Sequence, residues 1–201
     1  MSTHTPACEL LGIDHPIVSA PMAADPRLPA AVSNAGAVGT IGLWWADDAG
    51  DLVRETAALT DRPFGGNFAL TSDQHRRVDQ ALSAGLRIVS FIFGDPQSYV
   101  DLVHDAGGLV MHTVGSAEEA RRAVGCGVDV IVAQGWEAGG HVWGGVATLP
   151  LVPAVVDAVA PVPVGDAAGV SRWPRAAQQG DELSAGPAAA RGDCARDAPD
   201  R

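Results

Sequence analysis

The sequence predicts an α/β fold of the (β/α)8 TIM-barrel type, incomplete at about seven β/α units where a full barrel has eight. Short β-branched runs alternate regularly with Ala-rich helical stretches. The runs are near-continuously apolar instead of alternating in polarity, as in parallel strands buried on both faces. Gly, Asn and Gln close several different runs ("SAPM", "GGNF", "AQG", "GDAAG"). Ligand groups spread over many strand ends favour a barrel, because a doubly wound sheet gathers them at one switch point.

Taken in order, "PIVSAPM" (16–22) reads as the first buried strand, followed by a helix through "RLPAAVSNAG" that stops at Gly36. "AVGTIGL" (37–43) is a strand, and "DDAGDLVRETAALT" (47–60) a helix with an aspartate cap. "FGGNFAL" (64–70) is a strand, and "SDQHRRVDQALSAG" (72–85) a helix that starts at Ser72 and ends on glycine. "LRIVSFIFG" (86–94) precedes the helix "DPQSYVDLVHDAG" (95–107). "GLVMHTV" (108–114) precedes "SAEEARRAVGCG" (116–127), which opens on a capping-box-like Ser. "VDVIVAQG" (128–135) leads through a Gly-rich loop into the helix "TLPLVPAVVDAVA" (148–160), and "PVPVGDAAGV" (161–170) is the seventh strand. The periodicity then collapses. Residues 171–201 are rich in Ala, Arg, Asp, Gly and Pro, a composition typical of disorder. The expected organisation is a partial barrel over 1–170 and a low-complexity, aberrant tail over 171–201.

Composition narrows the function. A net charge of −11 argues against nucleic acid and against an anionic membrane surface, since no basic patch exists to neutralise phosphates. No run of about 18 apolar residues is present, so no membrane span is expected. All 13 basic residues are arginine, which excludes Schiff-base lysine chemistry and the P-loop lysine. The three cysteines show neither metal spacing nor a disulfide framework, and no basic segment precedes an apolar core at the N-terminus; both point to the cytoplasm. No second ligand stands at metal spacing from a histidine, so no metal is expected.

The densest constellation is "AQGWEAGGHVWGG" (133–145). Gln134 ends a buried strand beside a glycine nest, where a ligand contact or a ladder-end hydrogen bond would both use its amide. Gly139 and Gly140 let a planar ligand approach the backbone without a Cβ clash. His141 stands in a loop after a core strand, the face on which barrel chemistry occurs; His112 in "VMHTV" is a lesser candidate. In "SAPM", Pro21 removes a ladder donor and directs the chain outward, presenting the backbone of Ala20 and Met22 to a planar ring. Asn67, in a strand after Gly65 and Gly66, needs partners if buried, and a bound heterocycle would supply them.

With "HPIVSAPMA", "AVSNAGAVGTIG", "FGGNFAL", "VSFIFGDP" and "GVDVIVAQGWEAGGHVWG", the chain resembles the nitronate monooxygenase family of FMN-dependent (β/α)8 barrels over roughly residues 10–170. By position, the resemblance sets Ala20, Pro21 and Met22 against the flavin ring. It makes Asn67, Gln134, Gly139 and Gly140 FMN contacts, Gly169 a phosphate-side contact, and His141 the catalytic base. The implied reaction takes a nitronate or nitroalkane and O2 to a carbonyl compound and nitrite. A histidine titrates near neutrality and suits removal of the acidic α-proton of a neutral nitroalkane. The same scaffold and "EAGGH" also serve flavin-dependent enoyl-acyl-carrier-protein reductases and NAD(P)H:quinone reductases, and a non-catalytic truncated barrel is the third reading. A downstream Gly-Thr phosphate-binding unit is missing where the family would continue, which is the reason for reading the tail as aberrant. Nothing in the sequence fixes an oligomeric state.

Overall fold

The computed structural model describes residues 5–22 and 24–167; Gly169 and the 171–201 tail lie outside the described residues. Parallel strands alternate with helices along the chain, as expected of the fold class. The chain forms two compact units, Met1–His112 and Thr113–Arg201.

In the first unit the strands β1 (Gly39–Gly42), β2 (Phe64–Ala69), β3 (Ile88–Ile92) and the start of β4 (Leu109–Val114, whose last two residues belong to the second unit) are neighbours in chain order, and every pairing is parallel. The expected first strand at 16–22 is reduced to a single bridge, Val18 to Val38. Pro16 and Pro21 flank it, and neither can donate to a ladder. The helices are α1 (Pro6–Leu11), α2 (Arg27–Asn34), α3 (Ala49–Ala57), α4 (His75–Ser83) and α5 (Gln97–Asp105). Too short to show a periodicity, α1 has no counterpart in the sequence reading. α2 stops at Asn34, and Gly36 takes φ +90°, the left-handed turn that ends the helix. Asp48 caps α3 by accepting from the Asp51 N–H. Ser72 does not start α4. Its hydroxyl accepts from Gln74 Nε2, and Asp73 Oδ1 takes the His75 N–H.

The register decides which side chains share a face. Gly42 stands opposite Asn67 and Asn67 opposite Ser90, while Phe68, Phe91 and His112 align one residue further along. Successive side chains of a strand point to opposite faces. Phe68 and Phe91 are fully buried, and Phe91 meets Tyr99 of α5, so theirs is the helix-covered face and Asn67 lies on the other. Burying each such side chain stabilises the unit by roughly 1.5–3 kcal/mol. At Gly39 a Cβ would fall 1.9 Å from Pro29 O, so β1 and α2 are in backbone contact.

In the second unit β5 (Val130–Ala133) pairs in parallel with β6 (Val164–Asp166), and the Gln134 N–H continues the ladder to Val114 O at the end of β4. α6 (Ala117–Gly125) and α7 (Thr148–Val159) complete it around Val114, Ala120, Ile131 and Val155, all fully buried. Across the described residues there are six strands and one bridge, where the sequence reading expects seven strands. No helix among the described residues is long and apolar enough to cross a membrane.

Candidate active site

The loop from Gln134 to Thr148 is built from its own hydrogen bonds. Gln134 is buried, and its carboxamide reaches back over the loop. Nε2 donates to His141 O at 3.0 Å, and Oε1 accepts from the Trp143 N–H at 3.2 Å. Trp136 N donates to Val146 O, closing the loop at its base. Glu137 Oε1 accepts from the Thr148 N–H at 2.9 Å, so a loop carboxylate caps α7, which has no cap from its own N-cap side chain. Its own backbone N–H and that of Thr148 hold the Glu137 carboxyl below the ordinary range.

The glycines divide by cause. At Gly135 a Cβ would stand 2.0 Å from Thr148 Oγ1, and at Gly144 it would stand 2.5 Å from the Cα of Gly115. Internal packing demands glycine at both. Gly140 is left-handed, with φ +79°. Gly139 has neither reason: a Cβ there meets nothing within 4 Å, and its φ lies outside the left-handed range. Between this open segment and the anchored Trp143, His141 stands exposed to solvent.

In the first unit, "SAPM" leaves the bridge at Val18 and runs outward. Ser19 Oγ accepts from the Thr40 N–H, Ala20 O accepts from the Met22 N–H, and the Met22 side chain is 77% exposed. Asn67 is buried; its Nδ2 donates to Ser90 O and Oγ, both at 3.2 Å, and its Oδ1 has no partner among the described residues. A buried acceptor left unmet costs roughly 1–3 kcal/mol, so the strand end carries an unspent demand for a donor.

His112 falls on the helix-covered face with Phe68 and Phe91, not with Asn67. Burial pushes its pKa down to about 4, against the opposing effects of the Asp95 charge and a hydrogen bond with the Phe91 backbone. It is a neutral core histidine. Two features escape sequence reading: Glu119, whose carboxylate reaches Trp143, and Phe93, which takes φ +62° at the end of β3. A bulky residue in that region is strained, and only its position before Gly94 hinted at a turn there.

The profile of the nitronate monooxygenase family matches residues 4–75 and 67–174. A Mycobacterium tuberculosis protein named (3aS,4S,5R,7aS)-5-hydroxy-7a-methyl-1-oxo-octahydro-1H-indene-4-carboxyl-CoA dehydrogenase is 38% identical, over 80% of this chain and 46% of that protein. Nitronate monooxygenase of Paraburkholderia phytofirmans is 37% identical, over 66% of this chain and 48% of its own length. Among solved structures, FabK from Thermotoga maritima is 36% identical with TM-score 0.77, over 81% of this chain and 53% of FabK. The chain thus spans about half the length of these relatives.

Proposed function

The chain belongs to the nitronate monooxygenase family, and on that premise we propose that it is part of an FMN-dependent oxidoreductase that converts alkyl nitronates or nitroalkanes, with O2, to carbonyl compounds and nitrite. The observation that carries the proposal is the Gln134–Thr148 loop, which exposes His141 between an open glycine and a fixed anchor.

Each unit, taken by itself, offers groups that suit a flavin. In the first unit the unmet Oδ1 of Asn67 is an acceptor for a ring N–H; in the second, the open side of Gly139 admits a planar ring to the backbone. Gln134 keeps one N–H and one lone pair beyond its loop bonds, since a carboxamide has two of each. Ala20, Pro21 and Met22 offer exposed backbone and a thioether to a ring face, and Gly140 supplies the turn before His141. Gly169, outside the described residues, is assigned to the phosphate side on the family pattern. Bound flavin supplies the electron transfer between substrate and O2. His141 removes the α-proton of a neutral nitroalkane; a nitronate already lacks that proton, and there His141 orients it and stabilises its charge.

Purified protein tests this directly. Flavin absorbance that survives desalting and nitrite release from a nitronate without NAD(P)H are the expected results. A colourless protein that takes up no added FMN overturns the proposal. His141→Asn should lower turnover of neutral nitroalkanes by about 10²-fold or more while sparing nitronates; equal loss on both refutes the base role.

A second reading, a flavin reductase or dehydrogenase acting on an acyl thioester, is favoured by the exposed Trp136, Val142 and Leu149 on and beside the loop, apolar surface that an acyl chain would cover. A reductase needs NAD(P)H as electron donor and a dehydrogenase an electron acceptor, and neither releases nitrite, so the nitrite assay separates both from the first reading.

A further inference from the structure

We propose that Glu119 is a positioning residue for His141, acting through Trp143; the inference rests on the base role given to His141 above. Glu119 sits three residues after the helix cap Ser116, whose hydroxyl accepts from the Glu119 N–H. In a capping box its carboxylate would return to the Ser116 N–H. Instead Glu119 Oε2 accepts from the Gly115 N–H at 2.8 Å and from Trp143 Nε1 at 2.8 Å. One carboxylate oxygen therefore ties the turn before α6 to the loop that carries the histidine.

The backbone of the loop is seated on the same turn. A Cβ on Gly115 would meet the Gly144 Cα at 2.4 Å, so neither position admits a side chain. Trp143 is consequently held through its N–H by Gln134, through its indole by Glu119, and through its neighbour Gly144 by Gly115. His141 lies two residues upstream, fixed at its carbonyl by Gln134, and at Gly139 and Gly140 before it an added Cβ would meet open space. The backbone that carries the imidazole is therefore tied to the Trp143 anchor. The indole bond to a carboxylate is charge-assisted and about twice as strong as a neutral one.

The test uses Glu119→Ala, Glu119→Gln, Trp143→Phe and the Glu119→Ala/Trp143→Phe double variant in the full chain. Trp143→Phe keeps an aromatic ring but loses the N–H donor together with the five-membered ring of the indole. Expected is a fall of about tenfold in kcat for a neutral nitroalkane in Glu119→Ala and in Trp143→Phe, the equivalent of one hydrogen bond. KM should hold within about twofold, and nitronate turnover should change little, because only the neutral substrate needs a placed base. The double variant should be no worse than either single, and Glu119→Gln, which keeps an acceptor, should recover most of the loss. A general loss of fold would instead lower both substrates alike.

Hydrogen exchange on the flavin-free chain supplies a readout that does not depend on activity. The amide at 143, which donates to Gln134, should exchange about tenfold faster in Glu119→Ala and Trp143→Phe, without additivity in the double variant. Unchanged exchange, or multiplicative effects of the two substitutions, overturns the positioning role. If the parent turns over neither substrate but exchange responds as expected, the nitronate reading fails while the Glu119–Trp143 tie stands.

Discussion

Gln134→Met isolates what the loop's central amide contributes. Methionine has nearly the same length and flexibility, so the buried site stays filled while both polar contacts vanish. The bonds lost are Nε2 to His141 O and Trp143 N to Oε1. Each is worth about 1 kcal/mol net, and because residues 141 and 143 are exposed, water satisfies the freed backbone groups without further penalty. The loop should therefore open more readily by about 2 kcal/mol, a factor of roughly 30 in the population of open states. Amide exchange read residue by residue is the assay. The Trp143 N–H should exchange about 30-fold faster, while Ile131 in the core of β5 keeps its protection. Unchanged protection at Trp143 would refute the reasoning. An equal rise at Ile131 would show that the amide supports the whole unit and not the loop.

The other predictions concern the first unit. The folded-state pKa of His112 is pushed from 6.5 to about 4, so the unfolded chain takes up a proton there before the folded one does. Its stabilising contribution is fully present above pH 6.5 and is lost as the pH falls to about 4, a change of about 3 kcal/mol. Urea midpoints at pH 7 and 4.5 should differ less in His112→Leu than in the parent, and an identical pH slope would sink the assignment. Gly39→Ala forces a Cβ onto Pro29 O, a backbone atom that cannot step aside. The loss should reach about 3 kcal/mol or more in urea unfolding, and a loss under about 1 kcal/mol would mean that β1 and α2 separate easily.

How legible the fold was follows from the kind of interaction that makes each part. The strands at 39–42, 64–69, 88–92, 109–114, 130–133 and 164–166 sit inside the expected runs, because continuous apolarity is a local signal for a strand covered on both faces. "PIVSAPM" carries the same signal, and the donor missing at Pro21 was legible, but not that Pro16 and Pro21 together leave only one bridge. The start of α4 slipped for a related reason. Ser72 and Asp73 both offer a capping oxygen, and a competing bond from Gln74 to Ser72 leaves the helix to Asp73.

The site was less legible, since its decisive contacts join distant positions. Nothing near Glu119 announces Trp143, 24 residues on, and its place after Ser116 points to an ordinary cap. The glycines are the instructive case. Their density around His141 suggests room for a ligand, but Gly135 and Gly144 are fixed by the loop's own contacts and Gly140 by its backbone angle. Only Gly139 and Gly145 are left without an internal cause, for at both a Cβ would meet open space. The loop's internal structure thus accounts for how the carbonyl of His141 is held, and it leaves open space for a side chain at 139 and 145. Mutating those two glycines to alanine perturbs little within the loop, so any loss of flavin or substrate binding in such variants reads directly on what docks there.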